Sequence, residues 1–211
     1  MSFTSIRLEL RGYTALITLS DVESGNRIGE VMASELREAF QELDDDDNVR
    51  SIVLSGEGPD FCRGSAIVGP PSLEQVTSHA VASAVAAVGK ATFVAINGDA
   101  LDQGLELALA CDVRFATSTS RLGMTQVTSG VVPWDGGTQR LPRLIGRSRA
   151  LEMLLSGRVV GGLEAAAMGL IVDSAQLGSS SQNALLAARV AETHGPLAVR
   201  YLKEAVYKGA D

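Results

Sequence analysis

The stretch ATFVAINGDALDQGLELALA (91–110) constrains this chain most, because it joins two different periodicities across a three-residue turn. ATFVAI (91–96) is a short apolar run suited to a strand, NGD (97–99) is turn chemistry, and LDQGLELALA (101–110) spaces leucine and alanine for a helix. A strand that turns sharply into a helix leaves the first helical amides without intrahelical partners and aims the positive end of the helix dipole at the turn. Such a mouth accepts negative charge. Gln103 and Glu106 are three apart and so neighbours on one face. An amide near Gln103 can polarise a carbonyl while Glu106 moves a proton.

The same alternation runs through the first half of the chain. SIRLELRG (5–12) and YTALITLS (13–20) each alternate apolar with polar residues around a Gly-containing turn, which predicts a hairpin. Met32, Leu36, Phe40 and Leu43 keep a helical period over 29–44, and the acidic run Asp44 to Asp47 closes that helix. SIVLSG (51–56) is a buried-type strand, followed by a loop and a helix over about 73–88. The strand 91–96, the helix 101–110 and the short strand DVRFAT (112–117) complete the series. Strands alternating with helices predict a layered α/β fold with parallel pairing. In such sheets ligands bind at the carboxyl ends of strands, where both FCRGSAI (61–67) and NGDALDQGLE (97–106) lie, and together these segments suggest an oxyanion-binding site. From about 136 onward the pattern is mostly helical, with THGP (193–196) the best candidate for a soft junction inside a single domain spanning 1–211.

Composition narrows the function classes. The net charge of −7 argues against nucleic-acid or anionic-membrane partners, whose phosphates demand a basic footprint. Arg140, Arg143, Arg147 and Arg149 form a local basic cluster, suited to a solvated or subunit-bridging face, with a small phosphorylated ligand as the alternative. Cys62 and Cys111 are too few and too separated for a disulfide framework and sit among apolar residues as buried thiols do. No spacing suits a metal site, and His79 and His194 are expected to be surface or helix residues. The N-terminus shows no basic segment followed by an apolar block, and no apolar run approaches the roughly 20 residues of a membrane span, so a cytoplasmic location is expected.

FCRGSAI, then AINGDALDQGLELALACDVRFAT, then LGMTQVTSGVVPWDGGTQRLPRLIGRSRALEMLLSGR and AAAMGLIVD occur in an order that resembles the enoyl-CoA hydratase/isomerase (crotonase) superfamily, from about residue 5 to residue 209. The resemblance implies a ClpP/crotonase-type spiral of ββα units and acyl-CoA thioester substrates of the kind met in fatty acid metabolism. It implies no cofactor beyond the coenzyme A carried by the substrate, and a homotrimer or hexamer. It also implies an oxyanion hole of two backbone amides, which map onto Ser65 and Gln103, the latter where the family usually keeps glycine. Cys62, Ala66 and Ile67 would lie near the adenine and pantetheine end of CoA, and Arg27 near a phosphate.

Hydratases of this family use two glutamates. Glu106 matches the first, whereas the second aligns with Gln126, and a glutamine holds water or substrate but does not exchange a proton as a carboxylate does. Asp135 offers a second carboxylate, with an N-cap for the helix over 136–145 as the plainer role, and Trp134 is either a wall of the acyl pocket or a packed aromatic. Relatives continue past the point matching the last residues here into C-terminal helices that cap the site, so that cap is expected to be absent. The expected activity is that of a lyase or isomerase of the enoyl-CoA hydratase/isomerase type, with Glu106 as acid/base. The alternatives are an acyl-CoA hydrolase or decarboxylase on the same scaffold, or a catalytically silent binding or assembly subunit.

Overall fold

The computed structural model describes residues 3–175 and 179–209. The chain opens with the antiparallel hairpin β1 (Ile6–Arg11) and β2 (Thr14–Leu19), whose register sets Ile6 opposite Leu19 and Arg11 opposite Thr14. Then come α1 (Glu30–Asp45), β3 (Ser51–Gly56), α2 (Leu73–His79), α3 (Ala82–Ala87), β4 (Ala91–Ile96), β5 (Ala100–Leu101), α4 (Gln103–Ala110), β6 (Val113–Thr117) and β7 (Arg121–Gly123). The remainder is α5 (Gly137–Ile145), α6 (Arg147–Ser156), β8 (Val159–Gly161), α7 (Gly162–Ala167), β9 (Asp173–Ala175), α8 (Ser180–Ala191) and α9 (Pro196–Lys208). One sheet has the order β1-β2-β3-β4-β6-β9, parallel from β2 onward, and a smaller one has the order β5-β7-β8.

The main sheet is covered on both faces, as parallel pairing requires. Ile52, Leu54, Val94 and Ile96 enter the large core that also takes Met32, Leu36 and Phe40 of α1. The alternate residues Val53, Phe93 and Ala95 turn to the opposite face, where Ala184 and Ala188 of α8 cover them. Both thiols, Cys62 and Cys111, are free and buried, and burial pushes each up to about 12. No helix among the described residues is long and apolar enough to cross a membrane.

Two expectations are corrected. The helix over 73–88 is broken into α2 and α3, because distant side chains satisfy the backbone groups freed at the break. Nη1 of Arg37 donates to the carbonyls of Ser78 and Ala80, and the Asp135 carboxylate accepts from the amides of Val81 and Ala82. The helix over 101–110 starts two residues late because Ala100 and Leu101 pair with Leu122 and Gly123. His79 ends α2 and is buried, whereas His194 is exposed. Of the arginine cluster, Arg143, Arg147 and Arg149 are exposed, while Arg140 turns inward to the carbonyls of Asp135 and Ala82.

Candidate active site

Three segments lie side by side at the carboxyl end of the sheet. The Ile28 amide donates to the Gly64 carbonyl at 2.8 Å and the Ala66 amide to the Ile28 carbonyl at 2.9 Å, while the Leu101 amide donates to the Cys62 carbonyl at 3.0 Å. This parallel bridging engages residues on either side of Ser65. Among the described residues the Ser65 amide therefore has no hydrogen-bond partner, and neither has the Gln103 amide, which opens α4. Ser65 and Gln103 share one cleft with Arg27, Ile67, Gln126 and Trp134. Two unengaged amides on one cleft suit an oxygen that gains negative charge during a reaction.

Glu106 sits one turn into α4 and is 0% exposed. Its Oε1 accepts from the amides of Asp135 and Gly137, both at 2.8 Å, and its Oε2 accepts from Nε2 of Gln126 at 3.2 Å. Burial is the main cause that pushes this carboxyl up to about 7. The Gly137 amide opposes the rise, and the nearby negative charge of Asp135 adds to it. An acid that is half ionised near neutral pH both gives and accepts a proton. Gln126 thus lies beside Glu106, and its Oε1 is buried without a partner.

Asp135 is buried and, like Glu106, is not among the residues that line the cleft. Its carboxylate accepts from the Val81 and Ala82 amides and from Nε2 of Gln103 at 3.0 Å, and burial raises its pKa. It does not cap α5 either, whose N-cap is Gly136; the helix it caps is α3, more than 50 residues upstream. The Gln103 side chain thus points away from the cleft, donating to Asp135 and to the His79 carbonyl at 2.7 Å. Asp135→Ala would strip three buried donors of their acceptor, and a loss of roughly 2–4 kcal/mol in urea unfolding is expected, with Asp135→Asn milder because it keeps one acceptor oxygen.

The remaining expected ligand contacts divide. Arg27, Ile67 and Trp134 are on the cleft wall, and Nη1 of Arg27 donates to the Ser65 carbonyl at 3.2 Å. Trp134 is half-buried there, which favours the wall over the core. Ala66 is exposed but off the cleft wall. Cys62 is fully buried in the core with its Sγ against the Gly64 carbonyl, so its side chain does not reach the cleft. Asp102 and Thr125 are among the cleft residues that the sequence does not point to. Asp102 accepts from the amide and hydroxyl of Thr125, a pairing across 23 residues that local pattern does not reveal. Among the described residues no cluster of His, Cys, Asp and Glu is placed to hold a metal ion.

A mixed α/β fold with these motifs at one cleft defines a crotonase-type protein, and comparison with known proteins agrees. The family model described as enoyl-CoA hydratase/isomerase matches residues 11–211. The putative enoyl-CoA hydratase/isomerase YngF of Bacillus subtilis is 37% identical over 207 residues, covering 94% of this chain and 80% of its own length. The mitochondrial methylglutaconyl-CoA hydratase of Mus musculus is 38% identical over 201 residues, and this chain spans 88% of its own length but only 63% of that relative's. A crystal structure of enoyl-CoA hydratase subunit I from Geobacillus kaustophilus superposes with a TM-score of 0.91 at 33% identity, covering 98% of this chain and 82% of the other. The chain belongs to the enoyl-CoA hydratase/isomerase family.

Proposed function

We propose that the protein acts on an unsaturated acyl-CoA thioester by forming or quenching its enolate, as a hydratase or double-bond isomerase. In this reading the Ser65 and Gln103 amides hold the thioester oxygen and Glu106 is the acid/base. The observation that carries it is the buried Glu106, poised near neutral pH one helical turn beyond the unengaged Gln103 amide and hydrogen-bonded to the cleft residue Gln126. The similarity to methylglutaconyl-CoA hydratases supports an α,β-unsaturated thioester as substrate. As charge moves onto the thioester oxygen, each preorganised amide contributes most where charge is greatest, about 2.7–4 kcal/mol for one donor. The Glu106 carboxylate removes a proton at carbon, and the carboxylic acid so formed returns one.

Gln126 serves Glu106 rather than sharing its work. Its amide donates to Oε2 and its free Oε1 offers an acceptor for a water or substrate hydrogen. Asp135 is assigned to support, because three donors already fill its carboxylate. Purified protein incubated with enoyl-, dienoyl- and malonyl-type CoA thioesters is expected to turn over an enoyl-CoA. Turnover of the malonyl type alone would transfer the assignment to decarboxylation, and CoA binding without any turnover would make the chain a binding subunit.

A further inference from the structure

We infer that Asp102 is a positioning residue that locks the turn presenting the Gln103 amide to the loop carrying Gln126, a role that rests on the acyl-CoA reading above. Asp102 has φ 51° and ψ −123°, and Asn26 is the other non-glycine residue with positive φ among those described. A residue with a Cβ costs on the order of 1–3 kcal/mol in such backbone and stays there only where its surroundings fix it. At Asn26 the buried carboxamide accepts from the Asp21 amide and donates to the carbonyls of Glu57 and Asp60, tying the 21–26 turn to the 57–60 loop.

At Asp102 the bonds reach three different parts of the site. Its amide donates to the Gly123 carbonyl at 2.8 Å, its carbonyl accepts the Glu106 amide at 3.1 Å, and its Oδ1 accepts the Thr125 amide at 2.5 Å and the Thr125 hydroxyl at 3.0 Å. Glycine would adopt this turn without strain, so the carboxylate is not needed to make the turn. What the carboxylate adds is a grip on Thr125, the residue before Gln126. The Asp102 backbone aims the next amide, that of Gln103, and its side chain sets where Gln126 begins. One residue therefore fixes the interval between the oxygen-binding amide and the Gln126–Glu106 pair. A misplacement of about 1 Å in such an interval costs up to 10²-fold in rate.

The test uses the full chain with Asp102→Gly and Asp102→Asn. Asp102→Gly relieves the backbone and removes the grip, so kcat on the enoyl-CoA turned over by the wild type is expected to fall about 10- to 100-fold with KM little changed. Amide hydrogen exchange at Thr125 and Gln126 should accelerate at least ~10-fold, since the Thr125 amide loses its acceptor. Asp102→Asn keeps an acceptor oxygen and should recover most of the rate and the protection. Wild-type exchange at Thr125 and Gln126 in Asp102→Gly, or Asp102→Asn as impaired as Asp102→Gly, would overturn the role. The exchange measurement needs no substrate, so a chain that turned over no thioester would sink the functional reading while the grip was still decided.

Discussion

Glu106→Gln is expected to lower kcat by about 10²- to 10⁴-fold on the thioester that the wild type turns over, with the protein still folded. Glutamine keeps an oxygen for the Asp135 and Gly137 amides, and the unpartnered Oε1 of Gln126 becomes an acceptor for the new amide group after a simple flip. The variant also carries a pH signature. The folded carboxyl is raised from 4.5 to about 7, so the folded state holds this proton more tightly than the unfolded chain. Its contribution, on the order of a few kcal/mol, is fully present below about 4.5 and is lost as pH rises through about 7. Glutamine does not titrate. The stability gained by Glu106→Gln over wild type should therefore grow between about pH 4.5 and 7 and level off above, as read by urea unfolding. Parallel pH profiles for the two proteins would refute the burial account, and undiminished turnover would remove Glu106 from the chemistry.

Gly104→Ala should damage fold and rate together. A Cβ there would lie 2.3 Å from the Cys62 carbonyl oxygen and 2.8 Å from the Cys62 Cβ, both buried and neither at the end of a flexible side chain. Relief requires α4 to back away from the 62–65 segment, and the two unengaged amides are mounted on these two pieces. A destabilisation of about 3 kcal/mol is expected, at the upper end for overpacking. If one donor is misaligned, kcat falls by a further ~10²- to 10³-fold. Gly161→Ala, where a Cβ meets nothing within 4 Å, supplies the control. Thermal melting and turnover measured on both variants decide the matter, because a Gly104→Ala protein as benign as Gly161→Ala is incompatible with that contact.

The strands of the main sheet were largely legible because their residues are buried on both faces and stand as short apolar runs; 51–56 and 91–96 coincide with β3 and β4. The hairpin was legible for a different reason, the apolar–polar alternation around Gly12. The smaller sheet was not, since strands of two or three residues have no period to detect. The break between α2 and α3 was hidden because Asp135 and Arg37, remote in sequence, stabilise it. Glu106 and the unengaged amides followed from the strand–turn–helix pattern and the family resemblance. The direction of the Gln103 side chain did not, because helical spacing assigns a face and not the partner that waits there. Asp102 escaped for a related reason: positive φ at a non-glycine residue is set by distant bonds and leaves no local mark.

The parallel pair β5·β7 has two rungs, Ala100 with Leu122 and Leu101 with Gly123. Both strands run the same way and stop together, so Gln103 and Thr125, each two residues beyond the last rung, emerge at one level. Extra residues before Arg121 leave that level untouched, whereas one inserted after Gly123 would carry Gln126 off by about 3.3 Å, the rise of an extended residue. The ladder is thus a datum from which the positions of the Gln103 amide and Gln126 are measured. Lineages built on it are free to vary the 127–134 loop, while insertions between Gly123 and Gln126 are the ones selection should refuse.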